Sequence, residues 1–230
     1  KAVPGAGRGY VVNLTPSLIA IATGARIDRA ERRHASLVAA MKLYDISTPV
    51  RVAMFLANVG HETGGLKYLV EIWGPTPQQR RYERDFKQPW PRTLVESKQP
   101  AYAANRLAWG LGNAQQGDGL RYLGRGDFQS TGRGNYIRLR DRLRARFPGL
   151  DVPDFEAQPE QVADPKWAAI AAADYCAMKD CNAMADAGDF DGYCDLINKG
   201  RKTEDEGDTN GFEHRLALYT RGLPVLQVAA

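Results

Sequence analysis

Residues 48–65, TPVRVAMFLANVGHETGG, constrain the fold more than any other stretch of the chain. Thr48-Pro49 pairs a capping hydroxyl with a proline at the first helical position. The helix it opens carries Val50, Val52, Ala53, Met54, Phe55, Leu56, Ala57 and Val59, so it is apolar on most sides. Such a helix is wrapped by others rather than laid on a surface. It predicts the central helix of a bundle, ended by Gly64-Gly65. The chain has 230 residues, enough for a single domain with a sub-lobe and its own buried core.

Other helices are marked in the same way. Thr15-Pro16 opens one, and a second runs from about Ile27 to Leu43. Further helices are expected over 134–147, over 165–179 after an Asp164 cap, over 189–198, and over 209–222 as an amphipathic closing helix. Residues 1–9 are Gly-rich and read as a flexible segment. Residues 73–125 differ in character, with proline, aromatics and charge mixed in WGPTPQQRRYERDFKQPWPR. They are expected to form a smaller inserted lobe within one catalytic domain spanning 1–230. Strand signals are scarce, so the class is mainly α.

The net charge of +4 and pI of about 9.0 are mildly basic and favour an anionic partner without naming one. No apolar run approaches the roughly 20 residues of a membrane span, and no secretory signal pattern is evident. Cys176, Cys181 and Cys194 make an odd set. They read as small buried thiols, with a Cys176–Cys181 pair open in an oxidising compartment.

Two acids stand in apolar settings. Val52, Phe55, Val59 and Glu62 follow at steps of three, four and three, which places Glu62 at the end of an apolar helical stripe. A carboxyl there is expected to be poorly solvated, with its proton affinity raised toward what a general acid needs. The alternative is an exposed glutamate or one paired with an arginine. Glu71 lies in LVEIW, between Leu69, Val70, Ile72 and Trp73, across the Gly-Gly turn. Two acids so placed suggest a facing pair. His61 is expected to hold a neighbour by hydrogen bond. A zinc-protease spacing would need a second histidine where Gly65 stands, so no metal and no cofactor are expected.

Longer motifs then carry a resemblance. GHETGGLKYLVE resembles the HE(S/T)GGF.YL.E stretch of family-nineteen glycoside hydrolases, the chitinases and their phage endolysin relatives. YLGRGDFQSTGRGNY is similar to that family's Y.GRG.IQLTGR.NY, and DLINKG followed by TNGFEHRLALY to its INGG.NG...R..Y ending. The likeness runs from about 45 to about 220. It implies a lysozyme-like bilobal helical fold with a substrate groove between a large helical lobe and the smaller inserted one. It also implies Glu62 as general acid, Glu71 as the second carboxylate of the endolysin branch, and Thr131 as the residue holding the attacking water. Gln129, Asn135 and Asn198 match positions that bind sugar or order the site.

The sequence departs from the pattern at Ser130, where a hydrophobe is usual, at Asp127, and in the acidic insert RKTEDEGD at 201–208. Glu83 and Asp85 stand near the longer spacing of the chitinase branch. Glu83, among Arg80, Arg81 and Arg84, is expected to end in an ion pair.

The function so implied is an endolysin-type muramidase cleaving β-1,4 links of bacterial peptidoglycan at the cell wall, as a monomer. A chitinase and a non-catalytic wall-binding module are the alternatives. The arginines at 138, 140, 142, 144 and 146 read as a solvated face over a buried stripe of Tyr136, Leu139, Leu143 and Phe147, suited to an anionic envelope rather than to nucleic acid.

Overall fold

A computed structural model of the chain describes residues 12–230; the segment 1–9 expected to be flexible lies outside the described residues. The helices are α1 (Pro16–Thr23), α2 (Ile27–Leu43), α3 (Pro49–Glu62), α4 (Pro77–Arg80), α5 (Leu94–Ser97), α6 (Arg106–Leu111), α7 (Asp118–Arg121), α8 (Arg133–Arg146), α9 (Pro165–Met178), α10 (Cys181–Asp186), α11 (Phe190–Asn198) and α12 (Phe212–Val228). Strand structure among these residues is confined to two isolated bridges, Val70 with Arg125 and Arg125 with Ser130. The chain divides into two compact units. The first joins the described residues up to Tyr68 with Pro165–Ala230, and the second is Leu69–Asp164.

In the first unit α3 is the centre. Every residue from Val52 to Gly60 is buried, as a helix without a polar face requires. Helix α3 packs against α12, α1, α10 and α11, while α2 packs on α9 and α1. Thr48 caps α3 through the Arg51 amide, and Thr15 caps α1 through Leu18. The three cysteines are free and buried. Burial pushes the Cys176 thiol well above its ordinary range, so it is poorly ionised and chemically quiet.

The second unit has its own core of Tyr122, Tyr136, Leu139, Leu143 and Phe155. This unit runs wider than the smaller lobe expected at 73–125. Helix α8, which the sequence reading left outside the insert, belongs to this unit because its contacts close locally. Tyr136 donates to the Leu123 carbonyl at 2.7 Å. Arg133 binds the buried Asp118 at 2.7 Å and Glu156 at 3.2 Å, and Arg140 binds Asp154 at 2.6 Å. The basic face of α8 is thus partly spent on structure. Arg144 donates to the Val152 carbonyl as well.

Candidate active site

Glu62 is the last residue of α3. The stripe of Val52, Phe55 and Val59 beneath it is buried, but the carboxylate does not meet an apolar rim alone. Its Oε1 accepts from Nη2 of Arg215, whose side chain is 1% exposed against 22% for Glu62. Arg215 is fixed on its other sides, donating from Nη1 to Asn58 Oδ1 at 2.6 Å and from Nε to the Asn210 carbonyl at 3.2 Å. Of the settings left open for Glu62, a poorly solvated apolar one or a pairing with an arginine, the second is found: a buried cation faces it. The reason is that α12, packed on α3, brings its first-turn arginine to the end of the stripe. A guanidinium so enclosed needs acceptors for its N–H groups, and Glu62 Oε1 supplies one of them.

Glu71 belongs to the second unit and is held by neutral donors. Its Oε1 accepts from Gln79 Nε2 at 2.8 Å and from the Tyr82 hydroxyl at 3.3 Å. Its Oε2 accepts from the Gly124 amide at 2.9 Å. The backbone fixes this register, since the Glu71 amide donates to the Gly124 carbonyl at 2.8 Å and the Gly126 amide to Leu69 at 2.9 Å. Burial first, and then the charge of Glu71, raise the pKa of Tyr82, so the phenol keeps the proton it donates.

Gly124 is where the expected residues converge. A Cβ built on it would lie 2.8 Å from Gln129 Oε1 and 3.1 Å from both Glu71 Oε2 and Thr131 Oγ1. A side chain at 124 would displace the Gln129 amide and crowd the other two oxygens. Gln129 adopts a left-handed backbone at φ 48°, a conformation that costs a non-glycine residue energy. Its Nε2 donates to Gly126 at 3.0 Å, while its Oε1 is buried with no hydrogen-bond partner. The Thr131 hydroxyl donates to the Gln129 carbonyl at 2.9 Å. With its proton so directed, Oγ1 turns lone pairs to any other donor.

The remaining expected residues are distributed differently. Asn135, in the first turn of α8, donates to the Thr131 carbonyl at 2.6 Å and accepts from Arg138 at 2.6 Å. It therefore ties the Thr131 backbone in place. Asn198 ends α11 in the first unit, is exposed, and accepts from the Asn210 amide at 3.4 Å.

Glu83 makes no ion pair with the neighbouring arginines, contrary to expectation. Both of its oxygens take backbone amides, Gly117 at 2.6 Å and Gly119 at 2.8 Å. Arg84 is drawn instead to the Ala114 carbonyl and to the faces of Phe86 and Trp90. The free backbone amides at the start of α7 offer fixed donors that flexible arginines do not match. Asp85 has a turn role, accepting from the Lys87 amide at 2.9 Å.

Sequence reasoning gave no role to Arg215, Asn58, Gln79 or Tyr82. Arg215 stands in the quoted NGFEHR stretch and was the one most open to discovery. The other three carry no local signal, because their partners lie at a distance along the chain or, for Gln79 and Tyr82, depend on how a loop folds. Among the described residues, no group of three or more His, Cys, Asp or Glu is placed to hold a metal ion. A cavity of about 590 Å³ in the first unit, lined by Asp189, Phe190, Asp191, Glu206 and Phe212 among others, contains none of the expected site residues.

No family model matches the chain. Over 175 residues it is 32% identical to a glycosyl hydrolase family 19 domain-containing protein of Haemophilus influenzae, covering 73% of this chain and 76% of that protein. Among solved structures, chitinase C from Streptomyces griseus and a mutant of chitinase C each match with a TM-score of 0.60 at 22% identity, covering 96% of this chain and 95% of theirs. They share its mainly helical, lysozyme-like fold. The identity to the Haemophilus influenzae protein extends over most of both chains, and on that ground this chain belongs to glycosyl hydrolase family 19 and is a glycoside hydrolase.

Proposed function

We propose that the chain cleaves β-1,4 links of bacterial peptidoglycan, with Glu62 as general acid and Glu71 as the base that activates water. The observation that carries this reading is the different use of two carboxylates. Glu83 has both oxygens committed to the amides of Gly117 and Gly119. Glu71 Oε2 takes a single amide and faces the same point as Thr131 Oγ1 and Gln129 Oε1. The acid close in sequence to Glu62 is thus the one left able to bind a water, which favours the endolysin-type arrangement over the chitinase-type spacing.

The chemistry follows from these contacts. Arg215 holds Oε1 of Glu62, which leaves Oε2 to carry the proton to the glycosidic oxygen. Glu71, oriented by three donors, takes a proton from water as that water attacks the anomeric carbon. The water's other hydrogen stays on its oxygen and donates a hydrogen bond to Thr131 Oγ1. The bond to the leaving sugar breaks as the new C–O bond forms. The action is placed at the bacterial wall, where this polymer lies.

A second reading, chitin, is favoured by the names of the structural neighbours. Both polymers join N-acetylated hexosamines and differ in the lactyl ether and its peptide. The test sets clearing of purified bacterial walls beside release of sugar from N-acetylglucosamine oligomers. We expect wall lysis to dominate; cleavage of the oligomers with intact walls would move the assignment to chitin. Glu62→Gln, unable to donate a proton, is expected to lose about 10²–10⁴-fold. Glu71→Gln should lose kcat with binding kept, and Glu83→Gln should stay within a few-fold. A lytic Glu71→Gln beside an inert Glu83→Gln would assign the base to Glu83.

A further inference from the structure

Helix α3 ends and α12 begins on a doubled contact. His61 and Glu62 are consecutive on α3, and His214 and Arg215 are consecutive on α12. Arg215 grips Glu62. Beside that pair, His61 Nδ1 lies 3.0 Å from His214 Nδ1, with ring centroids 5.2 Å apart and planes tilted by 51°. The His61 ring is also seated on the backbone of Gly211. A Cβ at 211 would fall 2.0 Å from its Cε1 and 2.5 Å from its Nε2. Gly211 is in turn the acceptor for the Arg215 amide at 3.1 Å. The imidazole therefore bears directly on the turn that presents Arg215.

Two imidazole nitrogens at this separation share one hydrogen: one Nδ1–H donates and the other Nδ1 offers its lone pair. That arrangement exists when the pair carries no extra proton and when it carries one. It fails when both rings are fully protonated, because two N–H groups then point at each other. The charged and titratable groups set against His61 are Glu62 on its own helix and Arg215 and His214 on α12. Burial first, and then the Arg215 charge, hold His61 below its ordinary range, with Glu62 acting in the opposite sense. The second proton is opposed by geometry, by burial and by the neighbouring guanidinium together.

We infer that His214, through its Nδ1 contact with His61, is a positioning residue that holds the Glu62–Arg215 pair in register and lets it slip when the two imidazoles take up their second proton. The inference rests on the reading of Glu62 as the acid. Since His214 touches neither reacting carboxylate, its loss should act on kcat and leave KM nearly alone. Small misplacements of a catalytic group have large effects on rate.

The experiment compares wild type, His214→Phe and His214→Gln. It measures kcat and KM from about pH 4 to 8 on soluble glycan fragments of peptidoglycan or N-acetylglucosamine oligomers, whichever the wild type cleaves. In parallel, ¹⁵N spectra of the imidazoles are followed over the same range. Phenylalanine fills the place without bonding; kcat at pH 7 is expected to fall about tenfold, and the acid limb due to the pair disappears. Glutamine accepts from His61 Nδ1–H in either charge state, so kcat at pH 7 is kept within about threefold while the same acid limb is lost. In the spectra, His61 should take its proton in a step coupled to His214 in wild type and alone in His214→Phe.

Wild-type kcat and acid limb in His214→Phe, or independent titration of the two rings, would overturn the inference. If His214→Phe does not fold, the glutamine variant and the wild-type titration decide. A Glu62→Gln protein as active as wild type would sink the reading of Glu62, and the spectra would still decide whether the imidazoles are coupled.

Discussion

Glu62 ends an apolar stripe and Glu71 sits inside an apolar run of the sequence, yet the two units hold them by opposite means. Glu62 is met by a full charge, the enclosed guanidinium of Arg215. Glu71 is met by an amide side chain, a phenol and a backbone N–H, all neutral. An apolar stripe shows that a carboxylate will be partly desolvated, but it does not name the partner. The difference has consequences for the two roles. A buried cation is an all-or-nothing partner: removing it leaves several groups unsatisfied together. Three neutral donors share the work, so removing one leaves a carboxylate that is still oriented.

Replacing Arg215 tests this contrast most severely. Arg215→Met keeps much of the volume but strips Glu62, Asn58 Oδ1 and the Asn210 carbonyl of their donor. Asn58 is fully buried and has no route to water. Breaking a buried ion pair from one side typically costs about 3–5 kcal/mol. The lower end is expected here, because Glu62 keeps some exposure. Urea unfolding should show a lower midpoint with an unchanged slope. A loss under about 1 kcal/mol would mean that Arg215 is no stronger a partner than the neutral donors of Glu71.

How much of this was open to reading from sequence follows from where each partner lies. Helix α2 was legible, because the apolar spacing of Ala30, Leu37, Ala40 and Met41 is local. The centrality of α3 was legible because no polar face exists to turn outward. Helix α8 was legible as a helix but not as part of the inserted unit. Tyr136, Leu139 and Leu143 show which side is buried, not what buries it, and its partners Asp118, Glu156 and Asp154 follow from tertiary contacts. The convergence of Glu71, Gln129 and Thr131 was foreshadowed by motif. Their contact around Gly124 depends on the pairing of Val70 with Arg125, which two isolated bridges do not announce as a strand pattern. Glu83 was misread because like-sequence arginines suggested ion pairs, whereas turn amides fixed in space compete better than exposed, mobile side chains.

The charged style of the first unit extends to the loop that leads into α12, and acid is the way to probe it. Asp195 is fully buried and gathers Thr209 Oγ1 at 2.7 Å, Thr203 Oγ1 at 2.7 Å, the Thr203 amide at 2.8 Å and Lys199 Nζ at 3.0 Å. Burial alone would raise its pKa, but the bonds from Thr209, Thr203 and Lys199 outweigh it and bring the carboxyl down to about 2. A folded-state pKa below the unfolded one means that the stabilisation is complete above about pH 4 and is lost as pH falls through about 2. The drop from 3.8 to about 2 corresponds to about 2 kcal/mol at about 1.4 kcal/mol per unit. Asp195→Asn should be less stable at neutral pH and should flatten the acid side of the stability curve. An unchanged acid side would show that the insert at 201–208 is not held by this charge.

The gentlest probe falls on Glu71. Tyr82→Phe removes one donor, the 3.3 Å contact to Oε1, and leaves Gln79 Nε2 at 2.8 Å on the same oxygen and the Gly124 amide on the other. The hydroxyl is the longest of the three contacts, so its share should be the smallest. A single hydrogen bond of this kind contributes about 0.5–1.5 kcal/mol, which as a barrier change is about 2–10-fold in kcat. KM should not move, because the phenol orients the base and is not assigned to substrate. Measuring kcat and KM for Tyr82→Phe beside wild type on the same glycan decides the matter. A loss beyond about 100-fold would place the Tyr82 proton in the chemistry itself, and Glu71 would then depend on one partner as completely as Glu62 depends on Arg215.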